Sequence, residues 1–277
     1  MKTRIITAIV ILCLFVPIVC LSDTVIFAVA AGVVCCFGVY EYLRCIGCKE
    51  KHGITVPACL ISFAVVFFAH YCGGSISYIL IPLACCASFM FYLFAYAVFL
   101  RGLEKFSEVT SAFTGFFYIT LAFVCLVVLS RMPNGRYIFL LAFVGAWVTD
   151  TFAYFTGYFF GRHKLIEEIS PKKTVEGSIG GIIFCVAAFV LYGFIIGKTQ
   201  DVSVNYIALA VCAFFVSVIS QIGDLVFSLV KREHGVKDYG KIFPGHGGVL
   251  DRFDSVIPVS VVIIIVISLS ERFSFFA

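Results

Sequence analysis

Long apolar runs separated by short polar segments dominate the chain from one end to the other. A helix needs about 20 mostly apolar residues to cross the hydrocarbon core of a bilayer. Runs suited to that task fall at 5–21, 24–40, 54–72, 76–100, 112–130, 137–160, 178–197, 206–230 and 255–270. The pattern predicts an all-α polytopic membrane protein of about nine transmembrane helices, with a tight hairpin across Ser22 and Asp23 joining the first two. The opening residues Met1 to Arg4 and the run after them have the look of a signal peptide. No small-residue cleavage pattern stands near Cys20, so an uncleaved first span is expected. The chain divides into 1–136, with about five spans, and 137–277, which carries two long polar loops at 161–177 and 231–254.

Composition agrees with a lipid solvent. Hydrophobic residues make up 62% of the chain and charged ones 13%, about half the charged share of a soluble domain. A net charge of +4 points to no nucleic-acid partner, although a basic face suits anionic lipid headgroups. Lys and Arg fix the expected orientation. With the N-terminus inside, only Arg131, Arg136, Lys198 and Arg272 of the 20 Lys and Arg fall in outer segments. The bias predicts a cytoplasmic N-terminus, an external C-terminus after nine spans, and both long loops in the cytoplasm. Most of the 13 cysteines sit in apolar runs and read as small hydrophobes. Cys45, Cys48 and His52 have the spacing of half a zinc site, but no second CxxC follows.

Within the predicted spans the acidic residues are Asp150 and Asp224, both toward the cytoplasmic ends. A carboxylate in a membrane helix is costly and marks a functional candidate, though it can also serve only to lock helices together. Ala146, Ala153, Gly157 and Gly161 share a helical face with Asp150. That face permits either close helix packing or room for a ligand. The two loops mix glycines, cations and carboxylates. Gly245, Gly247 and Gly248 flank His246, and glycine lets backbone N–H groups approach phosphate oxygens, or simply makes a flexible turn. Asp251 and Asp254 share a face if helical, as do Asp224 and Ser228. Asp254 could alternatively cap the last span. Carboxylates from two helix ends suit Mg²⁺, with water and phosphate completing its shell. The residues alone therefore indicate phosphate chemistry on a lipid at the cytoplasmic interface.

The stretch from Ser228 to Asp254 reads SLVKREHGVKDYGKIFPGHGGVLDRFD. It resembles the signature of phosphatidate cytidylyltransferases, also known as CDP-diacylglycerol synthases. The signature's fixed places correspond to Ser228, Lys231, Arg232, Lys237, Asp238, Pro244, His246, Gly247, Gly248, Asp251, Arg252 and Asp254, without departure. Upstream, DTFAYFTGYFFG from Asp150 and SPKKTVEG from Ser170, with Lys172, Lys173, Thr174 and Glu176, resemble the family too. The likeness is clear from about residue 137 onward; before that it extends only to hydropathy and span count. It implies CTP and phosphatidate as substrates, CDP-diacylglycerol and pyrophosphate as products, and dependence on Mg²⁺. It further implies Asp224 and Asp251 as metal ligands, a homodimer, and residence in the cell's inner membrane with the active site facing the cytoplasm.

On that reading Asp224, Asp251 and Asp254 are the expected metal ligands, with Lys237 and Asp238 beside them in the catalytic set. Lys172, Lys173, Lys237 and Arg252 are candidates for the phosphates. Asp150, Thr174, Glu176, Ser228, Lys231, Arg232, His246, Gly247 and Gly248 complete the expected substrate site. The phosphatidate monoester has a second pKa near ~6, so it needs no strong base. What must be supplied is positioning and charge neutralisation. A transporter would cluster its ionisable residues near the midplane, often in repeated halves, and neither feature is seen. A CTP-dependent kinase of a polyprenol or other lipid alcohol would share nucleotide, metal and membrane, but would release CDP.

Overall fold

Inside a bilayer the backbone finds no water, so each apolar run closes its hydrogen bonds within itself as a helix. The computed structural model describes residues 7, 13, 15–71, 77–99, 105–245, 247–269 and 275–276. Among these, seven helices are long and apolar enough to cross a membrane, and they overlap seven of the nine expected spans. The span expected at 5–21 lies largely outside the described residues, apart from helical residues 15–20. The last, expected at 255–270, appears as a 13-residue apolar helix, Val256–Ser268.

The chain forms two compact units, Met1–Met132 with His234–Phe253, and Pro133–Glu233 with Asp254–Ala277. The first contains α1 (Val25–Cys45), α2 (His52–Ala69), α3 (Ser77–Phe99) and α4 (Phe106–Arg131). Its late segment carries one helical turn, Leu250–Phe253. The helix α4 forms the core of this unit, with Phe116, Ile119, Ala122, Val127 and Leu129 fully buried. Large rings are seated against glycines. Tyr42 of α1 lies over Gly115 of α4, and its hydroxyl donates to the Ser111 carbonyl at 3.2 Å. Tyr96 lies over Gly53, while the Tyr92 hydroxyl donates to the Gly53 carbonyl at 2.8 Å. The late segment is held by Phe253, whose ring packs 5.5 Å from that of Phe123.

The second unit contains the short α5 (Gly135–Ile138), then α6 (Leu140–Phe160), strands β1 (Lys164–Ile166) and β2 (Ser170–Thr174), α7 (Val175–Gln200), α8 (Tyr206–Glu233) and, past the Leu250–Phe253 turn (α9), α10 (Val256–Ser268). The two strands pair antiparallel as a hairpin within the loop 161–177. They are a small addition to an otherwise all-α membrane fold: runs of three and five residues are too short to leave a periodic signature.

The small-residue face predicted on α6 is a packing face. A Cβ on Gly177 of α7 would lie 2.6 Å from the Ala153 carbonyl oxygen, and one on Gly180 would strike the Thr156 side chain. Gly157 and Gly161 leave space for Thr174. Against α8, Thr149 Oγ1 of α6 and Ser217 Oγ hydrogen-bond at 3.0 Å, both buried. On α8, Gly223 accommodates Pro258 of α10. At the far end Asn134 Nδ2 donates to the Phe276 carbonyl at 3.1 Å, and Asn205 N donates to Phe275 O at 3.1 Å. Exposed Tyr154, Tyr158, Phe159 and Phe160 collect on the last turns of α6, where amphipathic and aromatic rings favour the membrane–water boundary.

The α6–α7 interface yields a test. Gly180→Leu must separate the helices, and overpacking of this kind costs about 1–3 kcal/mol. Its melting temperature in detergent is expected to drop by several degrees. Ile183→Leu, on the exposed side of the same helix, should leave it unchanged.

Candidate active site

In the second unit, the middle of α6, the later half of α8, the strand β2 and the start of α10 bring acids and cations together. α6 supplies Asp150, α8 supplies Asp224, Ser228 and Lys231, β2 supplies Lys173, and the start of α10 supplies Asp254 and Ser255. Lys173 Nζ lies 2.5 Å from Asp224 Oδ2, and each side chain is about one-quarter exposed. Ser228, one turn below Asp224, donates to Asp224 Oδ1 at 3.4 Å. The Ser255 hydroxyl donates to Asp150 Oδ2 at 2.8 Å, and the Ser255 N–H donates to Asp254 Oδ1 at 2.9 Å. Thus Asp150, Asp224 and Asp254, far apart in sequence, belong to one electrostatic cluster.

Asp254 shows the cluster's character. Burial, followed by the negative charge of Asp224, pushes its carboxyl up to about 8; Lys231 opposes the shift and Asp150 adds to it. With Asp254 driven towards its neutral form, two carboxylates face two lysines, and a bound cation would favour ionisation of the third acid. Among the described residues, no group of three His, Cys, Asp or Glu side chains stands ready to enclose a metal. Mg²⁺ characteristically takes one or two carboxylates and completes its shell with water and substrate phosphates. The donor set fits a metal that arrives with, or is shared by, a phosphate ligand. A mostly apolar cavity of about 370 Å³ is lined by Leu165, Ile166, Ser178, Val218, Gln221, Ile222 and Leu225.

The other residues expected in 161–177 brace the hairpin. Thr174 is buried, and its Oγ1 accepts the Gly177 N–H at 3.1 Å as the N-cap of α7. Glu176 accepts the backbone N–H groups of Arg162 at 3.1 Å and His163 at 3.2 Å. It also pairs with His163 Nδ1 at 2.6 Å. Lys172 is exposed next to Lys173.

The first unit holds the glycine-rich segment. Gly245 and Gly247 have positive φ, 78° and 83°, as a backbone turn that only glycine adopts freely requires. His246, between them, lies outside the described residues. Asp251 is buried, and its Oδ2 accepts the N–H groups of Tyr239 at 2.8 Å and Gly248 at 2.9 Å. This carboxylate organises the turn in which it lies; its expected role as a metal ligand rests on the resemblance. Lys237, Asp238, Arg232 and Arg252 are exposed.

One acid escaped the sequence reading. Glu41 lies one residue past the span predicted at 24–40. Helix α1 continues to Cys45 and buries Glu41, whose Oε2 accepts the Leu250 N–H at 2.8 Å. The only available signal was an acid at the edge of an apolar run.

Acids and lysines gathered on membrane helices in this way suit a membrane-embedded nucleotidyltransferase. A profile of the cytidylyltransferase family matches residues 2–270, and the chain belongs to that family. A phosphatidate cytidylyltransferase of Staphylococcus haemolyticus (strain JCSC1435) is 34% identical over 257 residues, covering 92% of this chain and 94% of that protein. One from Staphylococcus aureus (strain COL) is 32% identical over 259 residues with the same coverage. A third, from Staphylococcus epidermidis (strain ATCC 12228 / FDA PCI 1200), is 33% identical over 255 residues.

The raised carboxyl of Asp254 has a consequence for stability. Folding favours its protonated form, so without divalent cations stability should fall as pH rises from the ordinary carboxyl value of 3.8 towards about 8. Melting curves in EDTA between pH 5 and pH 9 are expected to show that decline, and Asp254→Asn should flatten it. An unchanged slope in Asp254→Asn would exclude this residue as its source.

Proposed function

We propose that the chain transfers CMP from CTP to phosphatidate, giving CDP-diacylglycerol and pyrophosphate. A phosphatidate phosphate oxygen attacks the α-phosphorus of CTP; the bond from that phosphorus to the bridging oxygen breaks, and pyrophosphate leaves. Three relatives covering most of the chain carry the name of this activity. The observation that carries the reading is the cluster of Asp150, Asp224 and Asp254 with Lys173 and Lys231, which suits polyphosphate and not neutral solute. The apolar cavity of the same unit suits an acyl chain of a lipid substrate.

At neutral pH phosphatidate is already largely dianionic. The protein's task is to bring two anions together and to stabilise the departing pyrophosphate. Lys173 and Lys231 offset part of that charge, and Lys172, Lys237 and Arg252, all exposed, are available to phosphate oxygens. Ser228 and Lys173 hold the Asp224 carboxylate in a fixed orientation. Asp224 and Asp254 would hold Mg²⁺, which when bound supplies charge neutralisation to the phosphates; a ligand role for Asp251 is carried by the resemblance. The proposal includes nine spans, a cytoplasmic N-terminus, an inner-membrane location and a site facing the cytoplasm, supported by the bias in Lys and Arg. A homodimer is part of it on the resemblance alone.

Purified protein supplied with labelled CTP, phosphatidate and Mg²⁺ should yield labelled CDP-diacylglycerol and pyrophosphate. Release of CDP with a phosphorylated lipid alcohol would replace this reading with a kinase. Asp224→Asn is expected to lower kcat by about 100-fold or more, as loss of several kcal/mol of transition-state stabilisation implies, with little change in melting temperature. Lys173→Ala should raise KM for CTP or phosphatidate. Equal losses of activity and stability in Asp224→Asn would mark it as a packing residue.

Orientation is checked separately. A reporter inserted in 231–252 should read as cytoplasmic and one fused after Ala277 as external. Finding both on one side would overturn the nine-span arrangement.

A further inference from the structure

We propose that Glu41 is a positioning residue for the glycine-rich segment 240–251, setting from α1 the backbone turn that Asp251 holds from the other side. The inference rests on the reading of this segment as part of a cytidylyl-transfer site.

Three observations carry it. Glu41 is 2% exposed, and its Oε2 accepts the Leu250 N–H at 2.8 Å. Its Oε1 is buried with no hydrogen-bond partner. An unpartnered buried carboxylate oxygen is costly, and a Leu or Met of similar volume would fill the space without that cost. The acid is kept for something other than packing.

The surroundings show what it governs. A Cβ built on Gly248 has Glu41 as its three nearest neighbours, Oε1, Oε2 and, at 2.6 Å, Cδ. A Cβ on Gly240 would strike Glu41 Oε1, and Cδ would lie 2.6 Å away. Neither glycine has positive φ, so their backbones would tolerate an L side chain. At Gly248 what forbids one is the Glu41 carboxylate; at Gly240 the Gly248 Cα, 2.9 Å from the same Cβ, adds to it. Gly248 donates its N–H to Asp251 at 2.9 Å, and Leu250, two residues later, donates to Glu41. Two carboxylates thus grip one short turn. Shifting Glu41 displaces Gly248 and Leu250, and with them Asp251.

The two contacts predict coupling between Glu41 and Gly248. The test is a double-mutant cycle of Glu41→Ala and Gly248→Ala, together with Glu41→Gln, each measured for kcat, KM for both substrates and melting temperature. Gly248→Ala should lower kcat by about 100-fold and Glu41→Ala by about 10-fold. The double variant should resemble Glu41→Ala, because removing the carboxylate vacates the space that the new methyl needs. Glu41→Gln keeps an acceptor for Leu250 and should stay within about threefold of the parent. KM for phosphatidate should hold steady throughout, which a general loss of folded protein would not distinguish from kcat alone; the melting temperatures separate the two. Multiplicative effects in the double variant, or full activity in Glu41→Ala, would overturn the proposal. If Glu41→Ala does not fold, Glu41→Asp replaces it in the cycle, since the shorter acid also withdraws from Gly248. If the parent protein makes no CDP-diacylglycerol, the functional reading falls. The cycle is then scored on melting temperature alone: rescue of Gly248→Ala by Glu41→Ala keeps the contact, and additivity removes it.

Discussion

A carboxylate carried on a helix at the edge of hydrocarbon has few ways to remain ionised. It can reach water, meet a cation or collect N–H groups from a nearby backbone. Asp254 is driven towards its neutral form instead, whereas the other central acids are met by a cation or by backbone N–H groups. Asp224 meets Lys173, Asp251 gathers two N–H groups, and Glu41 gathers one. Much of the local architecture serves these needs. The hairpin delivers Lys173 to α8, and Glu176 and Thr174 tie down the two ends of that hairpin through backbone N–H groups. Tyr239 and Gly248 bring the two N–H donors to Asp251.

The same constraint explains where the glycines lie. In the α6–α7 interface they let helices approach until carbonyls and small side chains touch, which is how helices associate where lipid offers no hydrophobic contrast. In the 240–248 segment they leave space for a charged group. Side-chain absence is thus used for packing in one unit and for accommodating an acid in the other.

The helices were legible in the sequence because a span requires an apolar run long enough to cross the core, and few other structures produce one. Asp150, Asp224 and Asp254 could be singled out for a related reason: a charge at such a position needs a cause. Residues read in isolation do not show their partners. Thr174 and Glu176, expected in the substrate site, also serve as a cap and a brace, which only the fold shows. The hairpin was too short to be seen. Glu41 was passed over because an acid at a span's end normally reaches solvent, and only the fold shows that residue 250 returns to cover it.

That return has a consequence for how the protein is made. Glu41 and its donor at Leu250 are 209 residues apart, and the segment bearing Leu250 belongs with the helices synthesised first. During translation α1 to α4 emerge and insert long before the strand of chain that completes them. For most of synthesis the Glu41 carboxylate must rely on water at the membrane surface, or on a helper protein, in place of its final donor. Such a long-range closure is slow and entropically costly relative to local helix packing. The glycine-rich segment is therefore the last piece of the first unit to settle.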